Sequence, residues 1–129
     1  MIVADTDVLI DALRGRKPAV ARVELEIKLG SLVTTAVNAF ELLSGGRTPR
    51  ERRAVEAVLG ALPILPLDEA SAQAAAVVRH ALEQAGQGIG MADYLIAGVC
   101  LARSAMLLTR NRAHFSRVPG LALATLDPL

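Results

Sequence analysis

The apolar run Ile2-Val3-Ala4 stops abruptly at Asp5, and this junction constrains the fold more than any other stretch of the chain. Three apolar residues with no polar alternation read as a strand covered on both faces, as strands of a parallel sheet are. Parallel neighbours need long crossovers, which helices supply. Asp5 then stands just past a strand's carboxyl end, where open α/β sheets bind their ligands. Thr6 or Asp7 is placed to cap a following helix that carries Val8, Leu9, Ile10 and Leu13. The simplest competing role for Asp5 is helix capping alone.

The same alternation recurs down the chain. After a break at Gly15 and Pro18, Val20, Val23 and Ile27 fall at helical spacing and predict a helix over about residues 19–29, closed by Gly30. Ser31 to Thr35 reads as a second strand, and residues 36–44 as a short helix with Glu41 between Phe40 and Leu42. Thr48-Pro49-Arg50-Glu51 is a capping box with Pro at the first helical position. Ile64-Leu65, bracketed by Pro63 and Pro66, allows only a very short edge strand. Asp68 caps an Ala-rich helix over about 69–84. The Gly-rich stretch 86–90 opens a helix that is apolar nearly all round, with Asp93 in its first turn. Such a helix belongs in a core. Ala105 to Thr109 reads as another buried strand, followed by Asn111, and residues 121–126 as the last short strand.

These elements predict an α/β fold: one domain over 1–129, with a central parallel sheet of about four to five short strands and helices on both faces. Aromatics are 2% of residues while hydrophobic residues are 53%, so the core is aliphatic, and the surplus apolar surface favours a homo-oligomer. No run approaches the ~20 apolar residues of a membrane span. A strand starting at residue 2 leaves no room for a secretory signal, so a cytoplasmic protein is expected. The single cysteine, Cys100, excludes an internal disulfide and a cysteine-based zinc cluster, and His80 has no ligand partner at metal-binding spacing. With a net charge of +1, nucleic-acid binding must rest on local clusters, of which Arg47, Arg50, Arg52 and Arg53 form the clearest.

In this architecture Asp5 and Asn111 lie just past strand ends, while Glu41 and Asp93 sit early in helices facing the same sheet edge. Three acids and an amide would converge there. Carboxylates crowded together repel one another unless a cation neutralises them, and an all-oxygen donor set selects Mg²⁺ or Mn²⁺. Such ions activate water and stabilise charge on a phosphoryl group, so phosphodiester hydrolysis fits best.

The chain resembles the PIN-domain ribonucleases, specifically the VapC-type toxins of VapBC toxin–antitoxin pairs. The resemblance is carried by Val3-Ala4-Asp5-Thr6-Asp7-Val8-Leu9, Thr35-Ala36-Val37-Asn38-Ala39-Phe40-Glu41-Leu42, Ile89-Gly90-Met91-Ala92-Asp93-Tyr94-Leu95-Ile96-Ala97, and Leu108-Thr109-Arg110-Asn111-Arg112-Ala113-His114-Phe115, with Val118-Pro119-Gly120-Leu121 after it. It implies a cytoplasmic, Mg²⁺- or Mn²⁺-dependent endoribonuclease, dimeric and inhibited by a VapB-like antitoxin. It makes Asp5, Glu41 and Asp93 metal ligands and Asp7 and Thr109 supporting groups. Arg110 and Arg112 join Arg47 and Arg50 as candidate contacts to RNA phosphates. Asn111 stands where relatives often have Asp; an amide ligates without charge, so one tight metal site is expected rather than two.

Two rivals compete. Asp5-Thr6-Asp7-Val8-Leu9 mimics the nucleophile motif of haloacid-dehalogenase-type phosphatases, but Val8 and Leu9 replace the Gly and Thr of that pattern and no late acidic pair follows. A catalytically weak module that only binds RNA or protein is the other.

Overall fold

The computed structural model describes residues 1–127. Its short apolar runs form β1 (Ile2–Ala4), β2 (Leu32–Thr35), β3 (Ile64–Leu65), β4 (Met106–Leu108) and β5 (Leu123–Ala124). The intervening segments form α1 (Thr6–Leu13), α2 (Ala19–Lys28), α3 (Ala36–Gly45), α4 (Pro49–Gly60), α5 (Glu69–Gln84), α6 (Met91–Arg103) and α7 (Arg112–Phe115). Every strand pairing is parallel, as the unbroken apolar runs require. The strands at 31–35, 105–109 and 121–126 are each shorter than their sequence suggests. Ser31 illustrates why: its backbone N–H is taken by the Glu26 carbonyl at the end of α2 at 3.1 Å rather than by a neighbouring strand.

Strand order is β3-β2-β1-β4-β5. The chain lays β2 and β3 on one side of β1, then returns to add β4 and β5 on the other. The direction of winding therefore reverses between β1 and β4, which opens a crevice at their carboxyl ends.

Because side chains alternate along a strand, neighbours in sequence enter different cores. Val3, Val33 and Leu107 pack with Val78, Leu82, Ile96 and Cys100 of α5 and α6. Ala4, Leu32 and Leu108 pack with Val8, Leu9, Val23 and Leu59 of α1, α2 and α4. Helices thus cover both sheet faces, as predicted, and Cys100 is a buried filler at 0% exposure. Among the described residues no helix is long and apolar enough to cross a membrane. Some apolar surface is left over, including Phe40 at 68% exposure and Leu43 on the same helix, α3.

The α5–α6 contact is unusually close. A Cβ at Gly98 would strike the Ser71 carbonyl oxygen and come within 2.7 Å of the Ala75 Cβ. Gly98→Ala in an open helix would gain about 0.5–1 kcal/mol from propensity; here overpacking of about 1–3 kcal/mol or more opposes it. We expect a net loss of stability, seen as a lower urea midpoint with an unchanged slope. A raised midpoint would show that α5 and α6 are not in this contact.

Candidate functional site

Asp5 follows β1 and serves as the N-cap of α1, its Oδ1 accepting from the Thr6 backbone N–H at 2.8 Å. The cap is therefore Asp5 rather than Thr6 or Asp7, because the chain leaves the strand in extended geometry at residue 5 and turns helical at once. Capping does not exhaust this carboxylate. Its Oδ2 accepts from the Thr109 hydroxyl at 2.6 Å, across the boundary between β1 and β4 where the winding reverses. The side chain of Asn38, in the first turn of α3, donates to Oδ1 at 3.0 Å.

Burial is the principal reason the Asp5 carboxyl is pushed up from 3.8 to about 6. The Thr109 hydrogen bond opposes that rise, and the charges of Asp7 and Asp93 add to it. Both acids are therefore close enough to repel Asp5. Asp7 is itself raised, first by burial. Its Oδ2 accepts from the Arg110 backbone N–H at 3.1 Å, while its Oδ1 is buried with no hydrogen-bond partner.

Glu41, one turn beyond Asn38 on α3, accepts from the Thr6 hydroxyl at 2.7 Å. Asp93 lies in the first turn of α6, where the helix dipole favours a carboxylate. The Gly-rich approach to it is held by Tyr94, whose hydroxyl oxygen accepts from the Ile89 backbone N–H at 3.1 Å. Across from Asp93 stands His114, with Nδ1 3.4 Å from Asp93 Oδ2 and 3.0 Å from Asn111 Nδ2. One proton placement does not satisfy both neighbours: a bare Nδ1 accepts from the Asn111 amide, and a protonated one donates to Asp93 with the amide turned over. Asn111 in turn donates its backbone N–H to Thr109 Oγ1 at 3.0 Å.

A continuous run of hydrogen bonds thus links Glu41, Thr6, Asn38, Asp5, Thr109, Asn111 and His114 along one sheet edge and ends against Asp93, with Asp7 beside it. The sequence pattern assigns no site role to Asn38 or His114, and none beyond helix capping to Thr6. The available signal was position: Asn38 sits one turn before Glu41, Thr6 adjoins Asp5, and His114 lies three residues past Asn111. The candidate phosphate-binding arginines divide. Arg110 pairs with the buried Asp11 at 2.9 Å and Arg112 donates to the Ala124 carbonyl at 3.0 Å. Arg47 and Arg50 are exposed at the start of α4. Arg50, Glu41, Leu13, Leu42 and Val55 line a groove of about 430 Å³ that begins at the acidic edge.

Among the described residues, no group of three or more His, Cys, Asp or Glu side chains is placed to hold a metal ion by itself. The carboxylate and amide donors along this edge are nevertheless all oxygens, which suits a hard cation such as Mg²⁺ that completes its octahedron with water. The orphaned Asp7 Oδ1 is a lone pair without a proton to meet. Cys100, the nearest soft donor, stays a thiol, pushed up to about 12 by burial and then by the Asp5 charge.

The family model described as PIN domain matches residues 2–121. Ribonuclease VapC10 of Mycobacterium tuberculosis is 36% identical over 115 residues, covering 89% of this chain and 86% of its own length. The tRNA(fMet)-specific endonuclease VapC of Shigella flexneri is 28% identical over 121 residues and 91% of each chain. The structure of VapBC2 from Rickettsia felis, bound to a DNA fragment from their promoter, superposes with a TM-score of 0.89 at 26% identity, over 98% of this chain and all of that one.

Proposed function

The chain belongs to the PIN-domain family, and from that premise we propose that it is a divalent-metal-dependent endoribonuclease, the toxin of a toxin–antitoxin pair. The observation that carries this reading is the buried Asp5 carboxylate at the winding reversal, tied to Thr109 and repelled by Asp7 and Asp93. A merely structural edge would not crowd three acids there. Relatives named as ribonucleases and an RNA-specific endonuclease support it.

Asp5, Glu41 and Asp93 would hold Mg²⁺ or Mn²⁺, with Asn111 offering an uncharged oxygen and Asp7 a spare one. When bound, the ion lowers the pKa of water and offsets charge developing on a phosphoryl oxygen. The chain's own groups do the rest. Thr109 fixes the direction of the Asp5 carboxylate, and Asp7 fixes the turn after β4 through the Arg110 backbone. Arg47 and Arg50 lie along the path of a backbone leaving the acidic edge and would contact its phosphates. The haloacid-dehalogenase alternative fares worse: Val8 and Leu9 stand where that pattern has Gly and Thr, and the family model that matches residues 2–121 is the PIN domain.

Single-stranded RNA with Mg²⁺ tests the proposal. Internal cleavage that chelation stops is expected, and calorimetry should find one tight Mg²⁺ site. RNA bound but not cut in either condition would favour the binding module instead.

The groove between α1, α3 and α4 is the proposed seat of the antitoxin. Its apolar floor of Ile10, Leu13, Leu42 and Val55 suits an amphipathic segment, and Arg14, Arg50, Glu41 and Glu51 offer charged anchors at its rim. The partner structures of the VapBC type are consistent with such an occupant. Leu13→Glu, at an exposed position on the groove's edge, is expected to prevent co-purification with a co-expressed antitoxin while leaving RNA cleavage intact. Retained co-purification would place the partner elsewhere.

A further inference from the structure

We propose that Asn38 is a positioning residue that sets Asp5 and Glu41, remote from each other in sequence, in the relative placement a divalent cation requires. The inference rests on the nuclease reading and concerns a residue which that reading does not use.

Asn38 is fully buried, at 0% exposure, yet it lies among ionisable groups rather than in an apolar core. Its amide orientation follows from its neighbours. Thr35 Oγ1 accepts from the Asn38 backbone N–H at 3.2 Å, so the Thr35 hydroxyl proton is free to donate to Asn38 Oδ1, at 2.7 Å. That leaves Nδ2 facing Asp5 Oδ1 at 3.0 Å and Thr6 Oγ1 at 2.9 Å, one N–H for each. Having accepted from Asn38, the Thr6 hydroxyl turns its own proton to Glu41 Oε1 at 2.7 Å. Every proton in the run has one direction, and one amide orients two carboxylates.

The residue type matters as much as the geometry. A buried Lys or Arg here would also satisfy Asp5, but its positive charge would neutralise the carboxylates and repel a cation. A neutral amide orients the oxygens and leaves their negative charge to the metal. If Asn38 served only to tie α3 to β1, the bond to Thr35 and one bond to the sheet would suffice, and the link onward to Glu41 would have no use.

The test is titration of Mn²⁺ alone into metal-free protein, followed by calorimetry and by the paramagnetic signal of free Mn²⁺. Outer hydrogen-bond partners of metal ligands are typically worth about 10–100-fold in affinity, and Asn38→Ala should weaken Mn²⁺ binding by that order. Thr6→Val, which cuts only the branch to Glu41, should weaken it by roughly tenfold, the low end of that range. Thr6→Ser, which keeps the hydroxyl, should restore it. In RNA cleavage both weakened variants should lose kcat at saturating RNA while KM for RNA holds. If Asn38→Ala does not fold, the Thr6→Val and Thr6→Ser pair decides alone. Wild-type uptake of Mn²⁺ matched by both variants would overturn this inference and leave the nuclease reading standing. No uptake by the wild type would overturn both.

Discussion

Asp93→Ala should leave a folded protein whose RNA cleavage is lower by at least about 10²–10³-fold, the scale on which removal of one electrostatic catalytic group is felt. The structure separates the two parts of this expectation. Asp93 contributes little to stability: its recorded side-chain partner is His114 Nδ1 at 3.4 Å, beyond good hydrogen-bond range, and its favourable position at the α6 amino end is worth only about 0.3–1 kcal/mol. The thermal midpoint should therefore move by a few degrees at most. Its chemical contribution is large if it supplies one of the few charged oxygens available to the ion, because water cannot replace that charge. Asp93→Asn, which keeps the shape, should be nearly as inactive. Gel-resolved cleavage of single-stranded RNA with Mg²⁺, beside a melting curve for each variant, checks both halves. Cleavage surviving in a folded Asp93→Ala protein would reduce Asp93 to a helix-terminal charge and remove it from the site.

Most of the frame that positions Asp93 could be read from the chain. Ile2–Ala4 and Ile64–Leu65 are strands with the limits their neighbours impose, Thr48 and Glu51 form the capping box, and Asp68 caps an α5 that runs over 69–84. These are local signals: a cap needs only the next three residues, and a strand buried on both faces needs only an apolar run. The interior of the site is different. Asn38 looks like any polar residue in the first turn of a helix until β1 is laid beside β2, when it meets a carboxylate 33 positions away. Thr109 meets Asp5 across 104 residues because β4, not β2, completes the other flank of β1. The same return of the chain brings Arg110 onto Asp11, so an arginine that reads as free for phosphate is engaged with its own protein. Spacing in the sequence identifies which acids share an edge; strand order decides which neutral groups hold them.

The second large effect runs the opposite way in stability. Asp5→Asn should abolish cleavage and yet stabilise the metal-free protein at neutral pH. In the folded chain the Asp5 carboxyl titrates near 6 instead of 3.8, chiefly through burial. The native state therefore binds the extra proton more readily than the unfolded chain. Linkage then requires stability to fall as pH rises from about 4 through about 6, and to level off above that range. The gap is worth on the order of 3 kcal/mol at pH 7.5, or roughly 10 °C for a chain of this size. A neutral amide in place of the Asp5 carboxylate would escape this cost without losing the bonds made there. The amide oxygen still accepts from the Thr6 N–H and the Asn38 side chain. The new NH₂ group can donate to Thr109 Oγ1, whose hydroxyl then turns toward Asp7 Oδ2, 3.4 Å away. Urea unfolding of both proteins in chelator should converge near pH 4 and diverge in favour of the variant through pH 6. Adding Mg²⁺ should raise the wild type alone, since only a native state that binds the ion gains from it. A variant less stable than wild type at pH 7.5 in chelator would mean that the Asp5 charge is already compensated within the protein, and that no cation is needed to hold it there.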